Sequence, residues 1–433
     1  MSSLTIACLA GLTMAPAAGA KPNIVLILAD DFGFECVTAN GGQSYRTPNL
    51  DKLASGGLRF EHCHVQPLCT PTRAQLMTGK SNIRNYIHFG TLLRGETTFA
   101  HHLSKAGYTT AICGKWQLGR EIDSPRHFGF GESFLWQHTR RPPRYANPGL
   151  ERDGKEIDFN NGEYGPDLVN DFAIDFVRRN KSRPFFLYYP MMLTHDPYQP
   201  TPDSPDWDPK AKGEAVNRKP THFADMVAYM DKLVGKLAAA LAAEGIRDNT
   251  LILFVGDNGT GKGTTSRFKG MNVKGGKGTT KDTGTHVPLI ASWPARTRPG
   301  GVNSDLVGSV DFLPTMCEAA GVPVPGDTDG VSFLPQILGE KGHPRQWLHI
   351  WYSPRQNNDT KVTEYAFNHS HKLYRGGRFY DLQKDPDERA PLDASGLSGP
   401  AAASHGLLRA ALDKFKDARP KELDKRAANP GAD

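Results

Sequence analysis

The chain has 433 residues, enough for one large domain with a smaller one, or for two ordinary domains. Hydrophobic residues make up 38% and charged residues 23%, the balance of a globular protein, and no apolar run of about eighteen residues offers a membrane-spanning helix. The formal net charge of +6 suits an anionic substrate. With no basic helix, aromatic–basic alternation or finger spacing beside it, it excludes nucleic acid as the partner.

Residues 1–20 are uncharged, small and apolar, and end in Ala18-Gly19-Ala20, the pattern a signal peptidase accepts, although no Lys or Arg precedes them. They are read as a signal peptide of a secreted or periplasmic protein. Residues 23–29 (NIVLILA) follow as a continuous apolar run, a strand buried on both faces. A helix is predicted over 47–54 and another over 97–106, then strand 108–113, helix 167–178, strand 184–189, helix 222–243, strand 250–255, strand 287–292 and helix 310–319. This alternation implies an α/β fold: a large, mostly parallel central sheet sandwiched by helices. Residues 323–330 form a Pro/Gly/Asp-rich turn stretch. Beyond it, short strands at 347–352, 364–368, 372–374 and 378–382 and a helix at 406–415 outline a smaller C-terminal α+β domain. The expected division is 1–20 signal peptide, 21–330 catalytic domain, 331–418 small domain and 419–433 flexible tail, with no internal repeat.

Six cysteines (Cys8, Cys36, Cys63, Cys69, Cys113 and Cys317) lie scattered without C-x-x-C pairing, which argues against a disulfide scaffold and a zinc site. Cys69 stands apart. It opens Cys69-Thr70-Pro71-Thr72-Arg73-Ala74-Gln75-Leu76-Met77-Thr78-Gly79-Lys80, at a loop-to-helix junction with Pro71 in the first turn and Arg73 one turn in. A thiol at a helix N-terminus beside a guanidinium is expected to have a lowered pKa and to attract anions, whereas an isolated cysteine is more often simply buried.

Two acidic pairs end predicted strands: Asp30-Asp31 after 23–29, and Asp257-Asn258 after 250–255. In open α/β sheets ligands gather beyond the carboxyl ends of strands. Hard oxygen donors of this kind suit calcium better than zinc or copper. The run 256–263 nearly spells a P-loop, but Gly263 stands where Ser or Thr must hold magnesium, and no amphipathic helix follows.

The stretch around Cys69 resembles the signature C-x-P-S/T-R…L-x-T-G-K/R of formylglycine-dependent sulfatases, in the alkaline phosphatase superfamily. Further resemblance lies in Gly114-Lys115-Trp116-Gln117-Leu118-Gly119, in His195-Asp196-Pro197, in Lys277 ahead of Val287-Pro288, and on through Asp311-Phe312-Leu313-Pro314-Thr315 to Lys384-Asp385-Pro386. The likeness covers nearly all of residues 22–388 and implies a sulfatase acting on sulfate esters, among them those of sulfated carbohydrates. By the same resemblance, a maturing enzyme oxidises Cys69 to formylglycine, whose hydrate is the nucleophile. One calcium ion is held by Asp30, Asp31, Asp257, Asn258 and the modified Cys69, and Arg73, Lys115, Gln117, His195 and Lys277 complete the catalytic set. A geminal diol explains why an aldehyde is useful: one hydroxyl attacks sulfur, and the second collapses to expel sulfate without water attacking sulfur again. Two departures stand out. Gln117 replaces a histidine, and an amide cannot act as a base near neutral pH. Residues 282–288 (DTGTHVP) replace E-G-G-x-R-V-P, a change expected to affect loop structure. A phosphonate or phosphate ester hydrolase with the same nucleophile, and an inactive homologue that binds sulfated glycans, are the alternative readings. The rim is assigned to 137–163, with Arg140, Arg141 and Arg144, and to 198–220.

Overall fold

The computed structural model describes residues 21–356 and 359–428; the segment 1–20, read above as a signal peptide, lies outside the described residues. Sixteen strands run in chain order: β1 Asn23–Ala29, β2 Leu58–His64, β3 Thr109–Gly114, β4 Glu132–Trp136, β5 Gly149–Arg152, β6 Lys155–Asp158, β7 Phe185–Pro190, β8 Thr250–Gly256, β9 Thr265–Phe268, β10 Met271–Lys274, β11 His286–Ser292, β12 Gly301–Gly308, β13 Leu348–Tyr352, β14 Thr363–Phe367, β15 His371–Tyr374 and β16 Phe379–Asp381. Ten of them form one mixed, mostly parallel sheet in the order β12-β2-β11-β8-β1-β7-β3-β4-β5-β6. Its centre, β8-β1-β7-β3, is entirely parallel.

β1 explains the two-sided architecture. All seven of its residues are buried. Ile24, Leu26 and Leu28 pack with Ala74, Met77, Phe99, Leu103 and Phe312 on one face. Val25, Ile27 and Ala29 pack with Leu50, Val169, Phe176, Phe223 and Leu237 on the other. A period of two along the strand thus feeds two cores, each covered by helices. Among the described residues no helix is long and apolar enough to cross a membrane.

Several elements differ from the sequence expectation. β11 is antiparallel to both β8 and β2, rather than another parallel strand. β2, β12 and the β4–β6 ribbon are additional strands, hidden in the sequence by their charged residues. In agreement with the sequence reading, the near P-loop is followed by no helix; the β9–β10 hairpin comes next. All five described cysteines are buried free thiols.

Strands β13–β16 make a separate antiparallel sheet. One face packs through Ala366, Leu373 and Phe379 onto helix Gly399–Lys414. The other meets Leu306 of the large sheet through Ile350, Tyr352 and Tyr365. The tail expected to be flexible from 419 begins instead with helix Lys421–Ala428, where Asp424 sits between Arg419 at 2.8 Å and Arg355 at 3.1 Å.

Candidate active site

The four central parallel strands deliver their next residues to one place. β1 ends in Asp30-Asp31, β8 in Asp257-Asn258, β3 in Lys115, and β7 leads within a few residues to His195. Backbone bonds tie these ends together: Asp257 N–H donates to Ala29 O at 2.9 Å, Asp30 N–H to Leu193 O at 2.9 Å, and Lys115 N–H to Pro190 O at 2.7 Å. The last of these needs Gly114, whose φ is +118° and where a Cβ would lie 2.0 Å from Pro190 O. Cys69 opens helix Cys69–Thr78, every residue of which is buried. Thr72 Oγ1 fastens the first turn by accepting from Gln66 N–H at 3.0 Å.

Asp30, Asp257 and the Cys69 Sγ each present a ligand atom within 4.8 Å of the others, all fully buried. Asp31 joins them: Asp257 Oδ1 accepts from its backbone N–H at 3.0 Å, and Asn258 Nδ2 donates to its Oδ1 at 2.8 Å. Three carboxylates in one dry pocket repel. Burial, then the charge of Asp30, pushes the Asp257 carboxyl up to about 7 despite the opposing Arg73. Asn258 Oδ1 is buried without a partner. An orphaned amide oxygen among crowded carboxylates is the donor set of a hard cation.

Cations ring this cluster. Lys115 Nζ donates to both oxygens of Asp30, at 3.0 and 2.7 Å. Lys277 Nζ donates to Asp31 Oδ2 at 2.6 Å and to His195 Nε2 at 3.1 Å. The imidazole's Nδ1–H is turned to the carbonyl of Asp196. Burial, outweighing the neighbouring Asp31 and Asp30, brings His195 down to about 4. Gln117 adopts a left-handed backbone, φ 59°, and its buried Oε1 has no partner. Asp30, Asp31, Cys69, Arg73, Lys115, His195, Asp257, Asn258 and Lys277 thus meet at the carboxyl ends of the central strands, with Gln117 two residues beyond Lys115.

Three details differ from the sequence reading. Burial raises the Cys69 thiol pKa above its ordinary value, outweighing Lys115, in place of the lowering expected from the helix terminus. Arg73 is engaged with the acidic cluster rather than held free for an anion: its Nη2 donates to Asp257 Oδ2 at 2.9 Å and its Nη1 to Lys115 O at 2.7 Å, with the whole side chain buried. Its position is that of a support for an acidic ligand. The basic rim also divides. Arg140 is an exposed partner of Glu156 and Asp158. Arg144 instead stacks on Trp136 at 4.0 Å and brings Nη1 to 3.8 Å from Asp30, joining the site itself.

The family model described as Sulfatase matches residues 22–322, well over half the chain. The chain belongs to the sulfatase family. A second model, N-sulphoglucosamine sulphohydrolase, C-terminal, matches residues 277–396 of this sulfatase. It is 33% identical to arylsulfatase A of Homo sapiens, over 94% of this chain and 89% of that protein. To N-acetylgalactosamine-6-sulfatase of Mus musculus it is 30% identical, over 87% and 83%. The crystal structure of Ps i-CgsB superposes with a TM-score of 0.76 at 26% identity, covering 95% of the sulfatase and 98% of that chain. The sulfatase is accordingly a sulfuric ester hydrolase of the alkaline phosphatase superfamily.

One supporting residue of the sulfatase escaped sequence reasoning. Glu35 is buried and raised in pKa by that burial; it accepts from Thr260 Oγ1 at 2.6 Å, and the same hydroxyl accepts from Gly33 N–H at 3.1 Å. This bracket joins the loops carrying the two acidic pairs, and no sequence motif marks it.

Proposed function

We propose that this sulfatase cleaves sulfate esters carried by carbohydrates, using a formylglycine made from Cys69 and one calcium ion. The observation that carries the reading is the approach of Cys69 Sγ, at a buried helix N-terminus, to within 4.8 Å of the carboxylates of Asp30 and Asp257. Asp30, Asp31, Asp257, Asn258 and position 69 would hold the ion, which supplies charge neutralisation for the carboxylates and for sulfate oxygens. A hydrated aldehyde at position 69 supplies a hydroxyl for attack and a second one for release of sulfate. The names of the relatives, which include a 6-sulfatase of an N-acetylhexosamine, support a sulfated sugar as substrate.

The chain's own residues have distinct tasks. Lys115 and Lys277 provide ammonium donors to a tetrahedral anion placed over the acidic cluster. The Lys277–His195 pair holds the proton that the departing alkoxide requires, one of its two nitrogens carrying it toward the leaving oxygen. Arg73 fixes the angle of Asp257 and, through Lys115 O, the strand end that carries Lys115. Arg144 adds a guanidinium at the mouth. Gln117 offers an amide oxygen as acceptor to a hydroxyl at position 69. We also infer that residues 21–330 act as the catalytic domain and 331–418 as the smaller one, and that the chain is exported and matured by a separate oxidising enzyme.

Mass spectrometry of the peptide containing position 69 from native material tests the core of this reading. The expected species is lighter than the thiol by the difference between SH₂ and O; thiol alone in active enzyme would refute it. Assays should pair aryl sulfate and 6-O-sulfated N-acetylhexosamines with an aryl phosphonate, and preference for the phosphonate would move the chemistry from sulfur to phosphorus. Gln117→His is expected to keep kcat or raise it. A fall of more than roughly tenfold would mean that the pocket is built around the amide.

A further inference from the structure

A second cluster lies at the seam between the large sheet and the small one, in the stretch that departs from the family's E-G-G-x-R-V-P. The pairing of β2 with β11 shifts register between Val287 and Leu289, where Cys63 faces Val287 and Phe60 faces Leu289. Phe60 and Cys63, three residues apart, therefore both reach the core. His62 and His64 are turned the other way, toward His369 and Phe367 of the small sheet. His286 sits opposite His64 across the ladder, and Asp282 opens the short helix that leads into His286.

We propose that His64, Asp282 and His286 form a second metal site, for a borderline divalent ion of the zinc class. Each offers a ligand atom within 4.8 Å of the other two, and the set shares no residue with the Cys69 cluster. His286 is oriented as metal-binding histidines are: its Nε2–H donates to the Glu61 carbonyl at 2.8 Å, which leaves Nδ1 facing Asp282 Oδ2 at 3.2 Å. An imidazole lone pair and a carboxylate oxygen at that distance need a proton or a cation between them. A proton gives an ordinary ion pair; a metal would take the same place and recruit His64. His286 stacks on Phe34 at 4.2 Å and on His64 at 4.7 Å, so sharing one ion requires the His64 ring to turn out of the stack. A cavity of about 260 Å³ opens beside them, lined also by His62 and His369, so the remaining coordination position has room. Two nitrogens and one carboxylate select a zinc-like ion, whereas the all-oxygen partners around Asp31 and Asn258 select a hard one. The cysteine spacing excluded a thiolate zinc site, and this one uses none.

The test uses Cys69→Ala protein, which removes the thiol from the first cluster, with calcium in excess to fill the hard site. Titration with zinc chloride should show one equivalent binding at micromolar affinity or tighter. Cobalt should give the visible absorption of a low-symmetry site. His64→Gln and Asp282→Asn should each weaken zinc by about tenfold or more while leaving calcium uptake unchanged. Asp282 is half-exposed, so its variant tests the site without touching the core. Failure to take up zinc beside calcium, or uptake unaffected by both substitutions, would overturn the proposal. The readout is binding rather than turnover, so neither result bears on the sulfatase reading.

Discussion

Replacing Cys69 with alanine is expected to lower kcat by roughly 10⁴-fold or more, because the proposed nucleophile is removed. Folding should survive. The substitution deletes one small buried atom from a helix that keeps its Pro71 start and its Thr72 fastening, at a cost of about 1 kcal/mol. Calcium binding should weaken but persist through Asp30, Asp31, Asp257 and Asn258. The measurement is turnover of a sulfate ester alongside the melting temperature and calcium titration. Retained turnover in a folded variant would end the nucleophile assignment. Serine at 69 separates the two halves of the reaction. It has a hydroxyl to attack with but no second one to collapse, so substrate should leave its sulfuryl group on the protein, visible as added mass after a single turnover.

The second large effect is expected at Asp257. Its carboxylate accepts from Arg73 and from the Asp31 backbone, and all three groups are buried. Alanine there strands the Arg73 guanidinium without a counter-charge, at a cost on the order of 3–5 kcal/mol, and removes a metal ligand. Activity, calcium affinity and thermal stability should fall together. Asp257→Asn keeps an acceptor for Asp31 N–H and should lose less stability while still losing calcium. In the unaltered enzyme a chelator should abolish activity and added calcium restore it. Full activity in chelator would refute the metal assignment.

The parts of the molecule legible from sequence were those governed by one dominant force. β1 was readable because both of its faces are buried, which leaves an unbroken apolar run. The acidic pairs followed, since strand ends in a parallel sheet point at ligands. β2 was not readable: its register shift breaks the alternation, and Arg59, Glu61 and two histidines disguise a strand. The thiol was misjudged because the helix terminus and nearby cations were weighed without the desolvation that outweighs them. Arg73 was expected beside the thiol, and its guanidinium also binds Asp257, a partner that only the fold brings near. Arg144 was visible only as one basic residue among three in a loop. Its stack on Trp136 depends on a fold contact that local pattern does not encode.

The depth of position 69 has a consequence for biosynthesis. Its side chain is 1% exposed, and the nine residues after it are sealed in as well. No second protein can close its own catalytic pocket around an atom so enclosed. Any enzyme that alters this thiol has to meet it on an extended stretch of polypeptide, before the neighbouring strands assemble. Oxidation and folding are then competitors in time, and a chain that collapses first is committed to the unconverted form for as long as it stays folded. Slower folding should therefore raise the fraction of molecules that become competent.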